Sequence, residues 1–299
     1  MALFGVVITV LMWSTLAASV ASLHNIPTLL VNGIALTIGG LIGLPWSRQW
    51  RMPFSLALLG TASMFGYHAL YFYALQLGEP VGVSLIHYLW PLLIVVFTPT
   101  SRQAGTPTMR RLFGVLIGFG GAILACLAGV HQSANSAAAP GAVSLTIAYG
   151  LALLSAFAWA GYSLLGPRYE SVSSHSVGLF CLVAGVASLG LFAVQGQWPV
   201  LSLQQTASLA YLGLGPMGSA FYLWDYGMKR CDPSKVAMLS YLTPVLSTIV
   251  LCGQQGQPIT TMTWMGAALV TVSIATTGRN KPRLATTASG MSTGKARSD

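Results

Sequence analysis

Apolar runs of about 20 residues, separated by short polar joints, make up most of the chain. A helix that crosses the hydrocarbon core of a bilayer needs roughly that length, at about 1.5 Å per residue. Ten such runs are predicted, at about 2–22, 28–46, 53–77, 80–99, 111–130, 143–165, 174–194, 206–228, 233–252 and 261–279. Pro27, Pro53, Pro80 and Pro233 stand at the starts of runs, where a missing N–H costs no hydrogen bond. The first run has no basic residue ahead of it and carries Trp13, Ser14 and Thr15 near its middle, which predicts a retained helix and not a cleaved leader. Residues 131–142 read as a linker rich in Ala, Ser, Gly and Pro, and 280–299 as a disordered polar tail.

Composition agrees with lipid as the solvent. Of the 299 residues, 54% are hydrophobic and 6% charged, against about 25% charged in soluble domains. The net charge of +9 would also suit a nucleic-acid binder, but the positions of the basic residues point to a membrane and to no nucleic acid. Numbered from the N-terminus, the second connection holds Arg48 and Arg51, and the fourth holds Arg102, Arg110 and Arg111. The sixth holds Arg168, and the eighth holds Lys229, Arg230 and, just past it, Lys235. The tail holds Arg279, Lys281, Arg283, Lys295 and Arg297, which completes all 14 Lys and Arg of the chain. The odd-numbered connections hold none. By the excess of Lys and Arg in cytoplasmic loops, both termini are expected in the cytoplasm. Cys126, Cys181, Cys231 and Cys252 are scattered, and they read as small buried apolar residues. No spacing calls for a metal or a cofactor.

The chain also resembles itself. Shifted by 153 residues, Gly60–Leu93 falls on Gly213–Leu246 without a gap, pairing Tyr73 with Tyr226, Pro80 with Pro233, Tyr88 with Tyr241 and Pro91 with Pro244. Glu79 meets Asp232 in the same turn, and a shift of 146 pairs Trp13 with Trp159. The expected fold is therefore an all-α membrane protein of ten transmembrane helices in two five-helix repeats, 1–130 and 143–279. Five is an odd number, so the second repeat enters the membrane in the opposite sense to the first. Inverted repeats are a recurring design of secondary transporters, with substrate held near the midplane between the halves.

Candidate site residues follow from depth and face. Tyr67 and Tyr71 are four apart in the third run, and Ser84, Tyr88 and Pro91 share a face of the fourth, flanked by His87 and Trp90. Trp13 and Trp159 are repeat-related, and Tyr162 follows Trp159 by three. These aromatics lie too deep for an interfacial belt and read as cavity wall or as packing. Pro91 and Pro244 are expected inside equivalent helices as kinks or gates. His68 and His87 read as hydrogen-bonded helix contacts or as a proton relay, and Asp225 as a membrane carboxylate or a partner of Lys229 or Arg230. Gly39 with Gly43, and Gly114 with Gly118, read as close-packing positions.

Leu11-Met12-Trp13-Ser14-Thr15 and His87-Tyr88-Leu89-Trp90-Pro91, in a ten-helix chain with a five-plus-five repeat, resemble the drug/metabolite transporter superfamily of EamA type. Within it the two segments are similar to those of the YddG-type exporters of aromatic and other amino acids. The resemblance covers about residues 3–279 and implies export of amino acids such as Phe, Tyr, Trp, Thr or Met, or of flat organic cations, from a central cavity. It carries over onto Trp13, Tyr88 and Trp90. The residue before the Tyr is often Asn in that family and is His87 here, which bears on substrate preference. The expected partners are a small-molecule substrate and the lipid bilayer; the sequence does not fix the oligomeric state, and a monomer is compatible with it. An intramembrane enzyme is disfavoured by the lack of HExxH, GxSxG or a pair of buried acids, and a channel by the lack of charged rings.

Overall fold

The computed structural model describes residues 1–21, 23, 25–78, 80–98, 108–133, 142–256 and 258–278. Glu79, residues 134–141 of the linker and the 280–299 tail lie outside them. The described residues contain no strand. They form α1 (Ala2–Ser14), α2 (Leu16–Ala21), α3 (Thr28–Ile42), α4 (Phe54–Leu77), α5 (Pro80–His87), α6 (Trp90–Phe97), α7 (Thr108–Ser133) and α8 (Ala142–Arg168). Then come α9 (Val177–Gln195), α10 (Leu203–Leu214), α11 (Ala220–Arg230), α12 (Pro233–Leu239), α13 (Leu242–Gln255) and α14 (Thr261–Gly278). A π-turn, Gly215–Ser219, joins α10 to α11. A helix pairs its interior backbone donors and acceptors inside its own segment, which is what lipid demands.

Each predicted run falls on one helix or on two consecutive ones, and several runs are broken. Val143–Arg168, Ser174–Val194 and Pro233–Gln254 are long and apolar enough to cross a membrane by length and composition, and Ala2–Ser14, Thr28–Ile42, Gly82–Phe97 and Thr261–Thr276 are shorter apolar helices. The breaks have local causes. At the α1–α2 joint Ser14 Oγ donates to Leu11 O at 2.6 Å and Thr15 Oγ1 to Met12 O at 2.7 Å, competing with the helix for its own carbonyls. Pro27 and Pro53 stand at the N-caps of α3 and α4, and Pro233 opens α12.

Pro91 and Pro244 do not sit inside continuous helices as the sequence suggested. The chain stops at His87 and restarts at Trp90, and it stops at Leu239 and restarts at Leu242. Both prolines thus occupy the first turn of a new helix, where the missing N–H had no intrahelical partner to lose.

Three central helix pairs pack antiparallel, α3 with α9, α7 with α14 and α1 with α11. Along α3 and α9, Asn32 Nδ2 donates to Ser188 Oγ at 3.1 Å, and a β-carbon on Gly40 would lie 2.5 Å from Leu182 N. Residue numbers rise on α3 as they fall on α9. The same holds for α7 and α14, where Gly118 faces Ser273 and Gly121 faces Val270. On α1 and α11, Thr9 Oγ1 donates to Ala220 O at 3.2 Å and Trp13 Nε1 to Pro216 O at 3.0 Å. One buried cluster runs through both halves, from Val6 and Leu36 to Trp224 and Val270. Outward faces are apolar too, with Phe54 81%, Val194 87% and Leu203 86% exposed, as a lipid-facing surface requires.

Candidate functional site

The breaks aim aromatic rings at the middle of the molecule. Trp13 sits in the last turn of α1, just before the Thr15 break, and Trp90 opens α6 just after the His87 break. Trp159 comes from the interior of α8 and Trp224 from α11. Their rings meet. Trp13 lies 5.6 Å from Trp159, 6.4 Å from Trp90 and 5.1 Å from Trp224, centroid to centroid. Trp90 and Trp224 meet edge-on at 5.4 Å. Phe221 fills the flank, 6.3 Å from Trp13 and 5.5 Å from Trp159. Edge-to-face and offset contacts at these separations are the favoured aromatic geometries.

Each indole N–H that turns away from the cluster finds a partner. Trp13 donates to Pro216 O and Trp224 Nε1 to Ser163 Oγ at 3.0 Å. The π-turn makes the first bond available. Ala220 N–H reaches back five residues to Gly215 O, so the Pro216 carbonyl stays open to Trp13.

A second layer lies beside the first. Tyr67 is 4.9 Å from Trp159 and stacks on Tyr71 at 6.3 Å with an 8° interplanar angle. His87 lies 4.2 Å from Tyr71 and 5.3 Å from Tyr67, and its Nδ1 is 2.8 Å from Ser155 Oγ. Tyr71 O–H and Ser84 Oγ are hydrogen-bonded at 3.2 Å. His68 Nδ1 donates to Met64 O at 2.7 Å.

Of the residues singled out in the sequence, Trp13, Trp90, Trp159 and Tyr67 come together, and Tyr71 and His87 join them through Tyr67. Tyr162 reaches the far edge, 5.4 Å from Trp159 and perpendicular to Phe180. Tyr88 stays apart at the helix break, half-buried, with His87 at 6.1 Å. Trp224 and Phe221 escaped the sequence reading. The 153-residue shift holds the missed signal, since it places Tyr71 on Trp224 and His68 on Phe221.

Among the described residues, two ion pairs stand at the basic end of the molecule. Lys229 Nζ is 2.6 Å from Asp225 Oδ2, and it also donates to Val172 O at 2.8 Å. Arg111, read from sequence as a connection residue, is instead in the first turn of α7 and 2% exposed. Its Nη2 is 3.2 Å from Asp232 Oδ2 and its Nη1 donates to Ser234 Oγ at 3.0 Å. Asp232 in turn caps α12 by accepting Ser234 N–H. Burial of the guanidinium is affordable because a carboxylate and a hydroxyl receive it.

Comparison with known proteins places this arrangement among transporters. The profile described as "EamA-like transporter family" matches residues 1–127 and 146–279. The chain is 35% identical over 254 residues to "Aromatic amino acid exporter YddG" of Ancylobacter novellus, covering 81% of this chain and 84% of that protein. It is 28% identical to the Salmonella typhimurium protein of the same name, over 77% of this chain and 78% of that one. A solved crystal structure of another protein, 31% identical, superposes with a TM-score of 0.81 over 92% of this chain and 96% of that one.

Proposed function

The chain belongs to the EamA-like transporter family, and on that premise we propose that it exports amino acids, aromatic and other neutral ones, across the bacterial inner membrane by alternating access. The observation that carries this reading is the tryptophan cluster contributed by both halves: Trp13 and Trp90 from one, Trp159 and Trp224 from the other. Stacked and edge-on rings form a wall for a flat or apolar side chain. Relatives at 35% and 28% identity that bear the name of aromatic amino acid exporters support the substrate class.

Alternating access needs two bundles that can rock about a shared site. In this reading the chain crosses the membrane ten times, residues 1–130 and 143–279 are the two inverted repeats, and both termini face the cytoplasm. Antiparallel packing of α3 on α9 and of α7 on α14 supports it. In each pair the helices are repeat equivalents, and equivalents related by an in-plane two-fold axis run in opposite senses. The paired breaks support it as well: His87 and Leu239, like Trp90 and Leu242, are 152 residues apart. A break in each half, with proline just beyond, gives each bundle a joint that bends without breaking a helix.

The same rings would also suit flat organic cations through cation–π attraction. Counterflow into liposomes containing purified protein separates the two readings. Labelled Phe, Tyr, Trp, Thr and Met are expected to exchange, each with and without a proton gradient. Exchange of organic cations with none of the amino acids would end the amino-acid reading.

A further inference from the structure

We propose that Asp225, Lys229 and the Tyr162 hydroxyl form a recognition subsite for the zwitterionic head of an α-amino acid, in a cleft at the basic end whose Tyr162 ring adjoins Trp159. This inference rests on the amino-acid reading above and deepens it. The cleft lies between the C-terminal turns of α8 and α11, the start of α9 and Leu56 of α4. Leu56, Val177 and Phe180 give it an apolar wall, while Tyr162, Asp225 and Lys229, with Tyr169, Ser173 and Ser176, supply polar groups.

Three features point to a ligand and not to packing alone. First, Tyr162 is 4% exposed and its hydroxyl has no hydrogen-bond partner among the described residues. A buried hydroxyl left unsatisfied costs about 1–3 kcal/mol, so its retention in a cleft wall calls for a partner from outside. Second, Asp225 and Lys229 are both nearly buried, with side chains 9% and 7% exposed. A buried ion pair adds little stability over apolar packing. Third, Gly166 stands against the pair: a β-carbon there would lie 3.3 Å from Asp225 Oδ1, so its hydrogen leaves the approach open.

The charges fit one class of ligand. An α-amino acid carries an ammonium and a carboxylate on adjacent atoms. When it inserts between Asp225 and Lys229, its ammonium faces Asp225 and its carboxylate faces Lys229. Each protein charge keeps a counter-charge, and the Tyr162 hydroxyl gains a partner. A bare cation or a bare anion would leave one buried charge uncompensated, which is costly. The side chain would lie along Phe180 and Tyr162, and Tyr162 is next to Trp159 at 5.4 Å. The subsite therefore selects the head group, and the rings of Phe180 and Tyr162 receive the side chain.

The test uses the purified full chain and three probes: L-phenylalanine, L-phenylalaninamide and N-acetyl-L-phenylalanine. Each competes for binding, read by calorimetry, and for counterflow of labelled L-phenylalanine. The free amino acid is expected to win over both derivatives by at least tenfold. Asp225→Asn should erase the discrimination against the N-acetyl form, and Lys229→Met that against the amide. Tyr162→Phe should weaken phenylalanine binding several-fold with no loss of thermal stability. Equal competition by all three probes on the wild-type protein overturns the proposal, as do unchanged ratios in the folded variants. If the wild type exchanges no amino acid at all, the exporter reading is what fails. Calorimetry of the three probes then still decides the head-group subsite by itself.

Discussion

Trp13 of α1 donates its indole N–H to the backbone carbonyl of Pro216, 3.0 Å away in the other half of the chain. The bond exists because the π-turn diverts Ala220 N–H to Gly215. Trp13→Phe keeps an aromatic ring and deletes the donor. It is expected to lower stability by about 1 kcal/mol, the size of a single polar contact between membrane helices. Trp13→Ala also removes the ring and should abolish exchange of labelled amino acids in liposomes. Full activity in the folded Trp13→Ala protein would remove Trp13 from the site.

Trp224 is the residue that the sequence concealed. It is fully buried, touches Trp13, Trp90 and Trp159, and donates to Ser163. Trp224→Ala should cost roughly 3–5 kcal/mol, as large aromatic deletions from a core do, and should reduce exchange as far as Trp13→Ala does. Trp224→Phe retains most of the volume and should fold. Its counterflow against that of Trp13→Phe shows whether the two indoles act as one wall. Unimpaired transport by Trp224→Ala would separate it from the cluster's role.

The contrast between Trp13 and Trp224 shows how far the sequence could be read. Helix class, the positions of most helices and four of the central aromatics were legible, because apolar runs and deep rings leave a direct trace in composition. Trp224 stands in a run with Asp225, Lys229 and Arg230 close behind it, and that charged end gives no sign of a ring turned to the centre. The helix breaks were legible only as prolines. Their true place, a turn upstream, depends on where the chain stops at His87 and Leu239. Arg111 looked like a solvated loop charge because its partner, Asp232, is 121 residues away.

The Arg111–Asp232 pair joins α7 of one half to the cap of α12 in the other. Arg111→Met leaves a nearly buried carboxylate without its guanidinium and should destabilise the protein by about 3–5 kcal/mol. Arg111→Lys should recover only part of this, because an ammonium cannot present two donors in one plane. A double-mutant cycle with Asp232→Asn, followed by thermal unfolding in detergent, measures the coupling. Additive effects would show that the two groups act independently.

Glycine substitutions probe the α3–α9 contact. A β-carbon on Gly40 would meet the Leu182 backbone at 2.5 Å, whereas one on Gly161, on an exposed face of α8, would meet nothing within 4 Å. Backbone cannot yield as a side chain can. Gly40→Ala is expected to cost about 1–3 kcal/mol or more. Gly161→Ala should be neutral or stabilising by up to about 1 kcal/mol, from helix propensity. Thermal melts of the two variants settle the comparison, and a harmless Gly40→Ala would contradict the close approach of these helices.

Antiparallel α3 and α9 fix which connections share a side. Ser173 Oγ donates to Gln49 Oε1 at 2.8 Å and Trp50 Nε1 to His175 O at 2.8 Å, so the 44–50 and 169–176 connections lie together. Trp198, 60% exposed, follows the opposite end of α9. In a chain with its four cysteines replaced, Ser47→Cys and Ser171→Cys should react with an impermeant maleimide only when the cytoplasmic face is open to it. Trp198→Cys should react from outside intact cells. The basic residues near the first two positions, Arg48, Arg51 and Arg168, set that direction by their preference for the cytoplasm. Labelling of Ser47→Cys and Ser171→Cys from opposite faces would break the helix pairing. Labelling of both from outside would keep the pairing and turn the transporter over in the membrane.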